Sequence, residues 1–531
     1  MLLARQFRIV ASVETVAPRL PILTEKSASR RRRVSTEAAI KAFFGSNALV
    51  AIVVLALITI FLFREGFGFF GQNLANLRLY RRAGLEYVDI IRAQANEHAA
   101  LSRGLSDIRL REVRAGADQP ILEKFDQFAA GFSDTGDELN DLLSDANDQA
   151  LALREALARS GGHAAGSLTE SETTDEAAPV APEINPVEGM AALRSGQTRF
   201  VQISESMKRK INGLLTQPPP FASQEAGRSF EKWKTRTRHY LEQLPAVAQK
   251  LRAWDPDKPI PAYRAITAFL FGTSWITASF WQDWYGIIPL LVGSIMVAFV
   301  ALVIAVPLGV FGAIYVSEVA APAEKSLIKP YIEFISAIPS VVLGFFGIAV
   351  VGQAIRALSQ ASFMKWVPFF PISERLNVFT AGCLLALMAV PTIFTLAEDA
   401  LRNVPRGFKE ASYALGANRL QTIVRVLVPA SLSGIVSAVL LGLGRVIGET
   451  MVVLLCAGNR IAIPDFTEGL GAFFQPVHTM TGIIAQEMGE VVRGSIHYRA
   501  LFMVGLVLFA ITLAINYGAQ KLVTRYRMSI G

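Results

Sequence analysis

Apolar residues along the chain gather into six long runs, and between the first two lies a long polar stretch with a helical beat. A helix needs about 20 residues to cross hydrocarbon roughly 30 Å thick. That length selects Ala48–Phe63, Ile287–Val316, Ile332–Ala354, Val378–Ala397, Leu432–Ala457 and Leu501–Leu522 as spans. The first is short and the second long, so tilt or overhang is expected. Pro339 and Pro391 fall in mid-span, where each lacks an N–H and should kink its helix.

Within the polar stretch, Leu139, Leu142, Leu143, Ala146, Ala150, Leu153 and Leu157 keep to one helical face, as do Phe230, Trp233, Tyr240, Leu241, Leu244 and Leu251. Further helices are expected over Asn73–Leu101 and Val187–Leu215. Pro218, Pro219 and Pro220 separate two helices. "SGGHAAGSLTESETTDEAAPVAPEINP" is too poor in large apolar residues to offset its ordering entropy and reads as a disordered linker. Trp275, Trp281, Trp284 and Tyr285 precede the second span, where they suit either an interfacial aromatic belt or the aromatic core of the polar region. The organisation is therefore an N-terminal segment over 1–43, a first transmembrane helix over 44–65, and a helical insertion over 66–268 with its linker near 159–186. A five-span core over 269–531 follows and carries a polar loop over 399–430. The fold class is an all-α integral membrane protein with six transmembrane helices and an inserted helical domain.

Composition narrows the class. Of 531 residues 52% are hydrophobic and 18% charged, too apolar for an ordinary soluble protein and too charged for a wholly membrane-embedded one. The net charge of +8 does not point to nucleic acid, because the basic residues cluster at the ends of apolar runs. Arg30 to Arg33 put the N-terminus inside. Counting spans from there places Lys325 and Lys329, then Arg402, Arg406, Lys409, Arg419 and Arg425, then Lys521, Arg525 and Arg527 on the same inner side. Both termini are then cytoplasmic and 66–268 is extracytoplasmic. Cys383 and Cys456 lie in apolar runs, which argues against a disulfide scaffold or a Cys-based zinc site. His478 and His497 are too far apart for a metal pair and read as solvated surface residues; no metal and no cofactor is expected.

The stretch "GLGRVIGETMVVLL" carries the candidate chemistry. Arg445 and Glu449 stand four residues apart, on one face of a continuous helix. An ion at the bilayer centre costs from about 2.5 to over 10 kcal/mol, so an intramembrane charge is a functional candidate by default. A guanidinium presents forked donors that match oxyanions. Arg445 is the candidate for meeting an anion in transit, with Glu449 orienting it; the alternative is an interhelical latch. Ser340 and Thr450, with Ser336 and Thr392, offer neutral donors near the spans.

The loop after the fourth span contains Glu410-Ala411-Ser412, three residues, Gly416, nine residues, then Val426-x-Val428-Pro429. This resembles the coupling-loop signature of ABC-importer permeases, E-A-A-x3-G-x9-I-x-L-P, with Ser412 for Ala and Val426 and Val428 for Ile and Leu. Two short helices split at Gly416 would make a knob with charges on one side and Ala411, Ala414, Leu415 and Val426 on the other. "YGIIPLLVGS", "VPLGVFGAIYVSE", "YIEFISAIPSVVLGFFG", "GLGRVIGETM" and "HYRALFMVGLVLFAITLAIN" are similar to the phosphate permease subunits of the PstC type. The sister PstA type would follow the Gly-Glu-Thr triplet with Ala-Pro, where Met451-Val452 stand here.

The resemblance implies a type I (MetI-like) importer fold in a bacterial inner membrane and a phosphate pathway. It implies a second permease subunit of the PstA type, ATP-binding subunits that meet Glu410 and Gly416, and an extracytoplasmic phosphate-binding protein. The chain contains no G-x-x-x-x-G-K-[ST], so it carries no nucleotide cradle of that kind and is expected to be a transport subunit, not an enzyme. A permease for another oxyanion, sulfate or molybdate, is the alternative. A membrane sensor fits less well, since four more spans follow the second.

Overall fold

The computed structural model describes residues 28–160, 186–277 and 282–526, apart from positions 365, 368 and 373. The expected linker and Trp281 thus lie outside the described residues, as does 1–27. The chain forms two compact units, Met1–Phe63 and Arg64–Gly531. In the first, the described residues are a single stretch of α1 (Ala28–Arg82), whose Ile52, Leu55 and Ile60 are exposed along its length, as lipid contact requires. This helix extends well beyond 44–65 at both ends.

A helical domain follows α1. Its elements are α2 (Leu85–Arg114), α3 (Gln119–Ser133), α4 (Asp137–Ser160), α5 (Pro186–Thr216) and α6 (Gln224–Arg252). The single helix expected over Asn73–Leu101 is instead broken at Gly84, which takes φ 80°; a Cβ there would lie 2.1 Å from Leu193 Cδ2. α4 packs on α5, α5 on α6, α6 on α2 and α2 on α4, closing a four-helix bundle on which α3 is laid. The faces expected on α4 and α6 are the buried ones, and Phe128, Phe132, Phe230 and Trp233 form a connected aromatic cluster. Trp233 Nε1 donates to the Leu101 carbonyl at 2.9 Å, so its one polar atom is satisfied inside the core. Fully buried Glu112 accepts from the backbone N–H groups of Ala222 (2.8 Å) and Ser223 (3.1 Å), pinning the entry to α6.

After α7 (Tyr263–Leu270), β1 (Trp275–Ile276) pairs antiparallel with β2 (Trp284–Tyr285). Trp275 and Tyr285 are buried, with ring centroids 5.3 Å apart, and Trp284 packs 5.3 Å from Tyr80 at the base of the helical bundle. Trp275 and Tyr285 are therefore not the expected interfacial belt. They are packing residues, because a two-residue hairpin this short is held by its side chains.

The remaining helices are α8 (Ile288–Ile314), α9 (Pro322–Ala337), α10 (Ser340–Phe346), α11 (Gly352–Gln360), α12 (Val378–Arg402), α13 (Arg406–Ala414), α14 (Arg419–Thr422), α15 (Val428–Gly448), α16 (Met451–Cys456), α17 (Met480–Glu487) and α18 (Ile496–Tyr526). π-Helical turns follow α8 (Tyr315–Val319), join α10 to α11 (Gly347–Val351), and join α14 to α15 (Ile423–Leu427). Among the described residues six stretches are long and apolar enough to cross a membrane: Ile40–Arg82, Ile288–Val319, Ser340–Gln360, Val378–Arg402, Arg419–Gly448 and Ile496–Gly518.

Two expected spans change shape. The third was expected over Ile332–Ala354 with a kink at Pro339; instead α9 stops at Ala337, Ile338 and Pro339 are extended, and the span begins at Ser340. Pro391, by contrast, stays inside an unbroken α12. The fifth was expected over Leu432–Ala457, and it ends at Gly448. α12 sits centrally, packed on α8 and α15. Its Ile393 lies between two glycines: a Cβ added to Gly309 would stand 2.8 Å from Ile393 Cγ2, and one added to Gly442 2.6 Å from Cγ1. Small residues at such crossings let backbones approach in lipid, where hydrophobicity alone gives no drive to associate.

The helical domain buries one imidazole. His98 on α2 is 4% exposed and stacks on Phe132 with ring centroids 4.7 Å apart. Burial pushes its pKa below the ordinary 6.5, while the backbone at Ser133 and Phe132 and the Asp137 carboxylate pull the other way. As pH falls below 6.5, the unfolded chain takes up a proton that the folded bundle resists, so this contribution to stability is lost in acid. We expect the thermal midpoint of the full chain in detergent, followed by tryptophan fluorescence, to fall from about pH 7 to about pH 5.5, and His98→Gln to flatten that slope.

Candidate functional site

Arg445 and Glu449 do not form the expected pair. α15 ends at Gly448, and Glu449 takes φ −74° and ψ 134°, so the two side chains no longer share a helical face. Among the described residues no ion pair joins them. Arg445 Nη1 instead donates to Thr392 Oγ1 on α12 at 3.0 Å, and the residue is exposed in the isolated chain. It occupies the last turn of α15, where the unpaired carbonyls give the helix a partial negative end; a cation there gains about 0.3–1 kcal/mol.

Glu449 turns to the backbone. Its Oε1 accepts from the Met451 N–H at 3.1 Å, and its carbonyl accepts from Thr481 Oγ1 at 2.9 Å. These bonds satisfy groups that the two-residue break would otherwise strand in an apolar setting. Thr450 Oγ1 is 3.4 Å from the Gly448 carbonyl, and Ser336 Oγ donates to the Glu333 carbonyl at 2.7 Å, both local back-bonds. Ser340 is the first residue of α10, half-buried, and among the described residues no hydrogen bond joins it to Arg445, Glu449 or Thr450. The candidates thus separate: Arg445 and Thr392 come together, Glu449 and Thr450 line a helix break, and Ser340 opens another helix. Thr481 is the partner that sequence reasoning missed; it lies 32 positions from Glu449 with no local signal.

The loop between the fourth and fifth spans folds as expected. α13 and α14 are split at Gly416, which has φ 81° and no atom within 4 Å of an added Cβ, so the conformation and not crowding calls for glycine. Asn418 accepts from Gln421 N at 2.8 Å and Gln421 Oε1 accepts from Asn418 N at 3.0 Å, a capping box that starts α14. Ser412, at the position where the signature has alanine, is buried, and its Oγ lies 2.9 Å from Thr422 Oγ1, tying the two short helices together. Glu410, Ala411 and Pro429 are exposed, as are Leu415 (89%) and Leu420 (69%). Val426 is half-buried.

Carboxylates at the same end of the bundle take cations, one of them from the loop. Glu318 Oε1 takes Lys409 Nζ at 2.6 Å, and Glu398 takes Lys329 at 2.5 Å and Arg402 at 3.8 Å. Sequence reasoning passed over both carboxylates; the available signal was an acidic residue at the polar end of an otherwise apolar span. The two histidines are also not solvated surface residues. His478 is 2% exposed, with Nε2 3.0 Å from Gln486 Oε1 and Nδ1 accepting from Thr479 N, and His497 Nε2 lies 2.7 Å from Glu487 Oε2. The loop carrying His478 folds back onto α8, where the Met480 N–H donates to Ser294 Oγ at 2.9 Å, so that ring is shut away from water.

Six apolar stretches, a glycine-lined crossing of α8, α12 and α15, and a two-helix knob on the loop after α12 are the marks of the transmembrane component of a transporter. A family model described as binding-protein-dependent transport system inner membrane component matches residues 305–527. The chain is 37% identical over 242 residues to a probable ABC transporter permease protein, YqgH, of Bacillus subtilis, covering 45% of this chain and 72% of that protein. It is 31% identical over 272 residues to the phosphate transport system permease protein PstC of Pasteurella multocida (49% and 82% covered) and 32% over 277 residues to PstC of Haemophilus influenzae (49% and 84%). An inward-facing structure of the MetNI methionine ABC transporter overlaps 45% of this chain and 94% of its own at 20% identity, with a TM-score of 0.33. The chain belongs to the family of ABC transporter inner-membrane permease components.

If Glu449 acts as a backbone cap and not as the counter-ion of Arg445, Glu449→Gln keeps the acceptor and leaves stability near wild type. Glu449→Ala loses it and costs about 1 kcal/mol, read as a lowered denaturation midpoint in mixed micelles.

Proposed function

We propose that this protein is the transmembrane permease subunit of an ATP-driven phosphate importer in a bacterial inner membrane. The observation that carries this reading is the knob of α13 and α14, with Glu410, Ala411, Ser412, Gly416 and Pro429 at the signature spacing, in a chain whose relatives include phosphate transport permeases. In this reading the knob lies in the cytoplasm, as do both termini, and its exposed Leu415 and Leu420 enter a groove on an ATP-binding subunit. The bundle of α2–α6 lies outside, as an extracytoplasmic insertion within 66–268. A second permease subunit of the PstA type completes the path, and a soluble phosphate-binding protein delivers the anion.

Closure of the ATP-binding subunits pushes the knob, and the push reaches α12 and α15 directly, because α13 continues from α12 and α14 leads into α15. Relative movement of those two helices opens the path alternately to each side. Arg445, held by one neutral partner and the dipole of its own helix, keeps donors free for a phosphate oxygen. Thr392 orients the guanidinium, while Ser340 and Thr450 stand near the path as weaker donors. A single cation with no carboxylate partner among the described residues attracts the anion without the tight multi-donor grip that would stop its release.

The test is uptake of labelled phosphate by cells holding normal amounts of assembled complex. Arg445→Ala is expected to lower uptake at least about tenfold, with Arg445→Lys in between, because the lysine keeps the charge and loses the fork. Wild-type uptake in both removes Arg445 from the path, and suppression of uptake by sulfate or molybdate reassigns the cargo.

A further inference from the structure

Glu318 is the residue through which both halves of the knob grip α8. It sits on the π-helical turn Tyr315–Val319 at the end of α8, with its side chain only 9% exposed. Its Oε1 receives Lys409 Nζ from α13 at 2.6 Å and Ser317 Oγ at 3.0 Å, and its carbonyl accepts from the Arg419 guanidinium of α14. Lys409 and Arg419 lie on opposite sides of the Gly416 turn. One residue of the turn after α8 therefore contacts both short helices, which the Ser412–Thr422 hydroxyl contact also holds together.

The apolar layer beneath repeats the arrangement. Val316 of the same turn packs in one cluster with Phe394 and Leu401 of α12 and with Ile423 and Leu427, which belong to the π-helical turn at the knob's exit. π-Helical turns carry an extra residue per turn and recur at functional sites. α12 carries α8 through the packing of Ile393 on Gly309, and the Glu318 joint adds a direct link from the knob to the end of α8 beyond that crossing.

We propose that Glu318 is a positioning residue for energy coupling, which makes displacement of the knob turn the end of α8 together with α12 and α15. The proposal rests on the reading of the knob as the contact for an ATP-binding subunit. It assigns Glu318 no contact with cargo or nucleotide. Removing the carboxylate should leave the knob able to dock and ATP hydrolysis running, while the spans follow the knob incompletely.

The experiment uses the full complex in proteoliposomes, measuring co-purified ATP-binding subunit, ATP hydrolysis and phosphate uptake on the same sample. Glu318→Gln is expected to keep the ATP-binding subunit at the wild-type amount and to lower phosphate moved per ATP at least about tenfold, the scale of a lost charged contact. Lys409→Gln, on the partly exposed loop, should do the same and serves if Glu318→Gln does not accumulate. The reversals Glu318→Lys and Lys409→Glu should each uncouple, and the two together should regain at least about half of the lost uptake, a rescue that a merely structural role would not give. A wild-type ratio of uptake to hydrolysis in Glu318→Gln or Lys409→Gln, or a double reversal no better than the singles, overturns the proposal. If the wild-type chain itself brings down no ATP-binding subunit, the reading of the knob fails, and the proposal fails with it by a separately visible route.

Discussion

A peptide group inside hydrocarbon has no water to turn to, and the whole spanning part of this protein answers that constraint. Most spans answer it in the usual way, as helices whose N–H and C=O groups bond within the segment. The informative places are those where the helix stops. At Glu449 and Thr450 the ladder is interrupted, and the gap is closed by a carboxylate on the Met451 N–H and a hydroxyl on the Glu449 carbonyl. A break serviced by side chains in this way is part of the architecture and not a frayed end.

Packing obeys a second condition that follows from the first. Once each span has satisfied itself, lipid offers no hydrophobic reason for spans to associate, and close van der Waals contact has to supply it. Ile393 on α12, with Gly309 of α8 on one side and Gly442 of α15 on the other, provides that contact near the middle of the bundle. At the knob end ions join neighbouring elements, Glu318 after α8 to Lys409 of α13 and Glu398 of α12 to Lys329 of α9. The bundle is thus tight and apolar in its middle and ionic at one rim.

The elements legible in the sequence are those set by short-range pattern. Hydropathy marks six spans, period 3.6 marks the buried faces of α4 and α6, and the spacing around Gly416 marks a two-helix knob. The failures share one cause. Nothing near Gly84 announces that Leu193, more than a hundred positions away, fills the space a side chain would need. Nothing in "GRVIGETM" announces that the helix ends before Glu449, because apolarity resumes at Met451 and runs on through Leu455, and only Thr481 completes the break. An aromatic belt is the natural reading of Trp275 and Tyr285 by composition, and tertiary packing overrides it. Site geometry in this chain is made by contacts between distant residues, such as Glu318 with Lys409 across 91 positions, which a single sequence does not display.

The parting of Arg445 from Glu449 changes what the proposed path can do electrostatically. A guanidinium locked to a carboxylate presents little net field to an approaching anion, and the anion would have to displace an opponent of its own charge. Bound instead to the neutral hydroxyl of Thr392, Arg445 keeps its full charge, and its cost is met in part by the negative end of α15. A helix terminus, unlike a carboxylate, cannot swing away or be protonated, so the stabilisation of Arg445 is fixed while its remaining donors stay available. The extended backbone at Glu449 is what makes this possible, because it turns that carboxylate toward the backbone of α16. In this arrangement the helix break and the parting of Arg445 from any carboxylate among the described residues go together.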